Sequence, residues 1–501
     1  MQDGHLSSRF SKLNGQRSGF INRAVASASV TIPSLFPPVG FDGNSDLRTP
    51  SQSLGAKAVN SLAAKILLAL LPPNQPFFRF TIDEEDLGEV EEKTKGEIEE
   101  ALAALERMVL NEVEAKHARP VLHELIKQLL VAGNGLLFVG KADMKLYKLD
   151  KYVTKRDGMG KVREIVIEEP IERDDVPKHI LSQLTALPDD DPNRTIKMYT
   201  QIKRMGNHWV AIQEINGILD PRSRTTYPLD KCPYLPLRMI RVDGEDYGRS
   251  YVEEYLGDLK SLEVLAKALN EGTTAAARVL FLVKANGTTK PRVLIEAPNG
   301  GFATGNPDDI SVLQLEKQAD FNQARQRMAE IKEDLSAAFL MNSSLTRNAE
   351  RVTATEIRAM AQELETVLGG VYALLSVELQ LPLVQLIMGQ LQRNRKLPQM
   401  PDDMLKPQVL TGVAALGRSQ ELDKLRLLLE LLAPLGPEVI AASIESDEYA
   451  KRVAAALSID TAGLIPTPEQ KQQREKSAQA KELMQMMGPQ MMQGMNGNQA
   501  A

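Results

Sequence analysis

Three long segments in the second half of the chain repeat apolar residues at steps of three and four, which is typical of helices that bury one face. They lie within residues 252–269, 321–338 and 357–375. The stripes consist of Val252, Tyr255, Leu259, Leu262, Ala266 and Leu269; Phe321, Ala324, Met328, Ile331, Leu335 and Ala338; and Ile357, Ala361, Leu364, Leu368, Val371 and Leu375. We therefore predict three long helices.

The connections between these helices differ in kind. The strand-like runs "RVLFLV", "RVLIEA" and "ISVLQL", separated by the turns "NGTTKP" and "PNGG", lie between the first two stripes. The polar segment "MNSSLTRNAERVT", residues 341–353, lies between the second and third. It holds neither cysteine nor histidine, and Glu350 is its only carboxylate. These patterns predict a compact β insertion followed, after the second helix, by a polar loop that performs no chemistry.

The third helix carries its own start and bend signals. Thr353 and Glu356 form a T-x-x-E capping box, which predicts that the helix begins there. Gly369, Gly370 and Pro382 predict bends further along. We therefore expect a long helix that curves.

The first half of the chain mixes helical and strand patterns. Residues 53–71 and 117–130 have helical spacing, and the first of these segments ends at "PPNQP". Between residues 144 and 241, β-rich runs such as "REIVIEE", "TIKMYTQI" and "HWVAIQEI" alternate with turns. The sequence therefore predicts an α+β protein that is mainly helical.

Composition narrows the class of protein. The net charge of −6 is opposite to that of domains that wrap nucleic acid tightly, although local basic contacts stay compatible with it. The single cysteine, Cys232, excludes an internal disulfide framework and a cysteine-based zinc site. The longest apolar run, "ILLALL", is far shorter than the roughly 20 residues of a membrane span. We expect neither a cofactor nor a membrane association.

Motifs for catalysis are scarce. "GMGK" at 158–161 is too short for a phosphate loop and predicts a hairpin turn, and His123 is not followed by a second histidine four residues on. Asp189, Asp190 and Asp191 lie between two prolines, a setting more typical of a solvated loop than of a magnesium site. We therefore predict no catalytic or metal-binding residues. Two alternatives stay open at this point: a DNA-processing enzyme with a carboxylate-bound metal, and a helical assembly scaffold that binds no DNA.

Several long stretches together resemble a known family. They include "TIPSLFP" (31–37), "SLAAKILLALLPP" (61–73), "CPYLPLRMIRVDGEDYGRSYVEEYLGDLKSLE" (232–263), "DDISVLQLEKQADF" (308–321), "AERVTATEIRAMAQELETVLGGVYALLSVELQLPL" (349–383) and "TGVAALGRSQELDKL" (411–425). In this order they resemble the portal proteins, or head-to-tail connectors, of T7-like short-tailed bacteriophages. The resemblance covers most of the chain, and runs of this length are more specific than a short motif.

The resemblance implies a portal fold with wing, stem, clip and crown parts that assembles as a closed ring of twelve copies. It assigns residues 1–245 to an N-terminal α+β wing region, 246–277 to the first stem helix, 278–315 to a β-rich clip, 316–340 to the second stem helix, 341–352 to a tunnel loop, 353–398 to a long bent wing helix, 399–465 to a helical crown and 466–501 to a Met- and Gln-rich tail.

The same resemblance implies a structural function. The ring would form the channel at one capsid vertex for genome packaging, retention and ejection, in the virion and, during assembly, in the host cytoplasm. Its partners would be further copies of itself, double-stranded DNA without sequence specificity, the terminase large subunit, a tail adaptor protein, the major capsid and scaffolding proteins, and internal core proteins.

Two sets of site residues follow from the resemblance. The DNA-facing tunnel loop would present Asn342, Ser343, Ser344, Thr346, Arg347, Asn348 and Arg351. The clip would dock its partners through Lys284, Asn286, Lys290 and Arg292. We expect Arg347 to face the channel, whereas Arg351 could equally pair with Glu350 or with acids of a neighbouring copy.

Overall fold

The computed structural model describes most of the first 394 residues and shorter parts of the rest. The described residues are 5–38, 40–41, 43–72, 77–81, 92–184, 196–276, 280–298, 301–302, 304–313, 318–341, 363–364, 366–368, 370–371, 374–394, 406–409, 417–436, 440, 444, 449–450 and 453. The chain divides into two units, one of residues 1–83 and 107–412 and the other of residues 84–106 and 413–501.

The described part of the chain contains both helices and strands. The helices are α1 (Leu6–Ser29), α2 (Leu54–Leu70), α3 (Glu92–Ala115), α4 (Ala118–Ala132), α5 (Lys178–Leu181), α6 (Tyr251–Glu254), α7 (Leu256–Ala276), α8 (Pro291–Glu296), α9 (Gln318–Ala338), α10 (Leu381–Arg393) and α11 (Gly417–Leu432). The strands are β1 (Phe78–Thr81), β2 (Asn134–Val139), β3 (Met144–Tyr147), β4 (Tyr152–Arg156), β5 (Val162–Ile171), β6 (Ile196–Met205), β7 (His208–Ile215), β8 (Ile218–Pro228), β9 (Tyr234–Arg238), β10 (Leu280–Val283), β11 (Ile310–Leu313) and β12 (Lys406–Val409). Among the described helices, none is both long and apolar enough to cross a membrane.

The β-rich runs of the first half form antiparallel sheets, as their alternation predicts. Strands β4 to β8 make a five-stranded sheet in sequential order, and β2 lies between β3 and β9 in a three-stranded sheet. The predicted hairpin turn at 158–161 connects β4 to β5 and is closed by a hydrogen bond from the Gly160 N–H to the Asp157 carbonyl at 2.9 Å. These predictions are confirmed.

Helix α1 is fixed against the five-stranded sheet by apolar and charged contacts. Leu6, Phe10 and Leu13 are buried in one cluster with Val153, on β4, and other side chains of the sheet. The Glu214 carboxylate of β7 accepts hydrogen bonds from the first N–H groups of α1, where the helix dipole favours a negative charge.

The segment after the polar loop is anchored to the sheets by a buried ion pair. Residues 376–380 form a π-helical turn directly before α10 and just N-terminal to Pro382, the position where a bend was predicted. This turn presents Glu378 to the guanidinium group of Arg238 on β9, and Arg156 on β4 lies 3.9 Å from the same carboxylate. Both arginine side chains are almost fully buried, so Glu378 neutralises charges that would be costly alone.

Each of the three apolar stripes is buried in part, and its other described members are half-buried. Leu262 and Leu259 on α7, and Ile331 and Leu335 on α9, are buried. In the third stripe Leu364, Leu368 and Leu375 are also buried, whereas Ile357, Ala361 and the capping box at Thr353 and Glu356 lie outside the described residues. The helical interpretation of the first two stripes is confirmed.

Three local features differ from the sequence-based expectations. The run "RVLIEA" was expected to be a strand but is the short helix α8, with Pro291 in its first turn and an Arg292–Glu296 pair one turn apart. The first stripe is interrupted at Tyr255, between α6 and α7. In the region expected to be helical after residue 399, β12 pairs with β1.

Candidate functional site: the α7–α9 helix pair, its insertion and the following loop

Helices α7 and α9 pack against each other and carry the insertion between them. Close approach near the insertion depends on Gly272, because a Cβ atom there would lie only 2.7 Å from the Phe321 ring. At the other end of the pair, Tyr251, Tyr255 and Phe339 form an aromatic cluster with ring centroids 5.3–5.4 Å apart. The two helices are therefore fixed at both ends.

The C-terminus of α9 ends at a defined residue, immediately before the polar segment. Leu340 has a φ of +55°, a left-handed conformation that non-glycine residues seldom adopt. The Met341 N–H donates to the Ser336 carbonyl at 2.7 Å, as in the Schellman type of helix end. The helix therefore stops in a strained turn that the surroundings must hold in place.

Two side chains from other helices satisfy carbonyl groups at this helix end. The Tyr251 hydroxyl donates to the Ala338 carbonyl at 2.9 Å, and the Lys65 ammonium group donates to the Leu340 carbonyl. Burial lowers the pKa of Lys65, while the charge of Glu363 acts in the opposite direction. A cation is favourable at the carboxyl end of a helix, so Lys65 on α2 helps to fix the starting point of the loop.

These capping residues were not predicted from the sequence. Lys65 stands alone in the apolar run "SLAAKILLAL", and a lone lysine on an otherwise buried helix was the one signal available. Nothing local to Tyr251 indicates that its hydroxyl reaches α9.

The insertion is a small antiparallel hairpin organised by one carboxylate. Strands β10 and β11 pair along their whole length, with Val283 opposite Ile310. The Asp309 carboxylate accepts hydrogen bonds from the backbone N–H groups of Thr288 and Thr289, at 2.8 and 3.2 Å. Gly287 is required nearby, because a Cβ atom there would lie 2.5 Å from the Asp309 carboxyl carbon.

The charge state of Asp309 follows from these contacts. Burial alone would raise the pKa of the carboxyl group, but the hydrogen bonds from Thr289 and Thr288 outweigh it and lower the pKa below its ordinary value. The ionised Asp309 carboxylate therefore stabilises the turn at any pH above the ordinary carboxyl pKa. This stabilisation is lost as the pH falls through the lowered pKa of the folded state. Asp309 is therefore ionised at neutral pH.

The predicted clip residues lie on the surface of this insertion. Lys284, Asn286 and Lys290 are exposed on the turn that Asp309 holds. Arg292 is also exposed, but its Nε donates to Glu296 at 2.8 Å, so it is already paired. Two large apolar side chains, Ile295 at 83% and Phe302 at 105% exposure, lie in the same insertion.

The predicted tunnel-loop residues lie outside the described residues. They are Asn342, Ser343, Ser344, Thr346, Arg347, Asn348 and Arg351. The described chain reaches Met341, so the structure gives their point of departure. The aspartates at 189–191 also lie outside the described part. Within that part, no group of three or more His, Cys, Asp or Glu side chains is arranged to hold a metal ion.

Comparison with known proteins agrees with this description. A family model for "Bacteriophage head to tail connecting protein" matches residues 3–465. The chain is 41% identical to the portal protein of Escherichia phage T7 over 97% of this chain and 91% of that one, and 40% identical to the portal protein of Enterobacteria phage T3 over 92% and 88%. A solved structure titled "Neck of native GTA particle computed with C12 symmetry" aligns with 81% of this chain and 90% of that one at 13% identity, with a TM-score of 0.34.

The chain belongs to the bacteriophage head-to-tail connecting protein family. Its similarity to the T7 and T3 portal proteins extends over most of its length, which confirms the resemblance seen in the sequence. Members of this family are structural connectors of the phage particle and not enzymes, so the chain has a structural role.

Replacing Lys65 tests how the helix end is held. Lys65→Met keeps the apolar stem of the side chain but leaves the Leu340 carbonyl without this donor, so the free energy of unfolding should fall by about 1–3 kcal/mol. Backbone amides at 337–341 should also exchange hydrogen faster than in the wild type.

Lys12→Met, which removes an exposed lysine from α1, is the matched control and should change stability by no more than about 0.5 kcal/mol. If Lys65→Met leaves both the stability and the exchange at 337–341 unchanged, Lys65 does not hold this helix end.

Proposed function

We propose that the chain assembles into a closed ring of twelve copies at one capsid vertex and forms the channel for genome packaging, retention and ejection. Family membership supports this proposal. The α7–α9 pair also supports it, because Val264 on α7 leaves 65% of its surface exposed in the single chain. A ring closes through head-to-tail interfaces, so each copy needs contact surface on two sides.

In this proposal the tunnel loop lies against DNA. Arg347 contacts phosphates, and Arg351 either does the same or pairs with Glu350 or an acid of the next copy. Phosphate contacts carry no sequence information and let a protein slide along DNA, as a packaging channel requires. The fixed end of α9 supports the assignment, since a loop that contacts moving DNA needs a firm base. Because exposed charges are screened beyond about 8 Å at physiological salt, the cations must come close to the DNA.

Changing both loop arginines tests the DNA contact. The double variant Arg347→Ala with Arg351→Ala should still assemble, because neither residue lies on an apolar stripe. It should package or retain less DNA per prohead, and the amount should depend less steeply on salt than in the wild type, because fewer phosphates are neutralised.

The control is Arg222→Ala with Arg224→Ala, which removes two exposed arginines from β8. Packaging and retention equal to wild type at every salt concentration for the Arg347/Arg351 variant would show that these arginines do not contact DNA.

The insertion of residues 278–315 is the proposed clip, which docks the terminase large subunit during packaging and the tail adaptor protein later. Lys284, Asn286, Lys290 and Arg292 form its polar surface, and the exposed Ile295 and Phe302 support a docking role. The remaining parts of the ring contact the major capsid and scaffolding proteins and the internal core proteins. The assembled ring resides in the virion at the portal vertex, after assembly in the host cytoplasm.

Charge reversal tests the clip. Lys284→Glu with Lys290→Glu should weaken binding of the purified tail adaptor or terminase to the ring by on the order of tenfold, because like charges across an interface are strongly unfavourable. Arg222→Glu with Arg224→Glu is the control with the same change of charge on β8. Equal binding by the clip variant and wild type would remove these lysines from the docking surface.

A further inference from the structure

A basic groove lies between α2, α7 and α9, on the side of the helix pair. It encloses about 550 Å³ and is lined by Lys57 from α2 and by Arg325 and Lys332 from α9, with Asn270 and Thr273 of α7 contributing polar groups. No carboxylate lines it. Among the described residues, none of the three cations forms an ion pair or a side-chain hydrogen bond.

The Glu263 carboxylate, which contacts two residues that line the groove, is already used. Glu263 of α7 accepts hydrogen bonds from the backbone N–H groups of Ser51 and Gln52, just before α2, at distances of 2.8–3.3 Å. These bonds attach α7 to the start of α2 without involving Lys57, Arg325 or Lys332. The groove therefore keeps three uncompensated positive charges and fits an anionic partner.

Helix α9, which supplies Arg325 and Lys332 to the groove, carries two aspartates on another side. Arg325 and Lys332 are seven residues apart, about two helical turns, so they project from one side of α9. Asp334 follows Lys332 by two residues, about 200° around the helix, and Asp320 lies four turns before Asp334 on its side. Both aspartates are exposed and without an ion pair among the described residues. Arg327 lies between the two aspartates on the same side but is paired with Glu330 at 2.9 Å, so this flank keeps a net negative charge. Helix α9 thus has one basic and one net acidic flank.

We infer that the basic groove of one copy binds Asp320 and Asp334 of the neighbouring copy. The inference rests on the proposed ring and adds the residues that determine its register. A head-to-tail interface joins two different surfaces of identical chains, and the two flanks of α9 supply such surfaces with opposite charge. Electrostatic complementarity of this kind chiefly fixes register and excludes wrong pairings.

Two reversed-charge variants test this inference. The groove variant is Arg325→Glu with Lys332→Glu, and the flank variant is Asp320→Lys with Asp334→Lys. Each variant alone should reach half-maximal assembly, measured as particle mass, only at a protein concentration at least roughly tenfold above that of the wild type. Mixed in equal amounts they should assemble again, because a reversed groove meets a reversed flank and a wild-type groove meets a wild-type flank in an alternating ring.

Three controls separate the possible outcomes. Arg222→Glu with Arg224→Glu changes the charge equally on β8 and should assemble as the wild type does. Circular dichroism of each variant alone checks that it is folded, and rescue by mixing excludes a folding defect as the cause. A labelled DNA duplex tests whether the groove binds phosphates instead.

If the wild type forms rings and the groove variant alone assembles equally well under the same conditions, the inference is overturned and the proposed ring stands. Impaired variants that do not rescue each other, or a groove variant that assembles but loses DNA binding, would also overturn it. A wild-type chain that forms no ring would instead contradict the proposed function.

Discussion

The Glu378 carboxylate lies where the second half of the chain is attached to the sheets of the first. It pairs with Arg238 on β9 and lies within 3.9 Å of Arg156 on β4, both almost fully buried. Burial lowers the pKa of Arg156 to about 10, and the charge of Glu378 acts in the opposite direction. Removal of Glu378 would leave two buried guanidinium groups without this counter-ion, so Glu378 stabilises the attachment of residues 376–380 to the sheets.

The described chain is held in place before the polar loop and again at residues 376–380. Lys65 and Tyr251 hold the end of α9 before it, and Glu378 holds the π-helical turn after it. The single chain leaves surface on the sides of the helix pair and on the insertion for other molecules, which is what a connector between a capsid and a tail requires.

Helices α7 and α9 could be predicted from the sequence because one buried face leaves a local, periodic signal in residues such as Leu262 and Ile331. "RVLIEA" was misjudged because a short apolar run does not distinguish strand from helix, and Pro291 decided the outcome. The pairing of β12 with β1 joins segments far apart in sequence, and the capping by Lys65 is likewise non-local. The four residues proposed for the clip are exposed, whereas the pairing of Arg292 with Glu296 could be seen only in the structure.

The central claim is that copies of this chain close into a ring around a channel. The most direct measurement is the mass of the purified wild-type assembly, combined with electron micrographs of the same sample. The account predicts particles of twelve times the 55.3 kDa chain mass, with a central hole. A sample that contains only monomers or dimers across the accessible range of concentration and salt would contradict it.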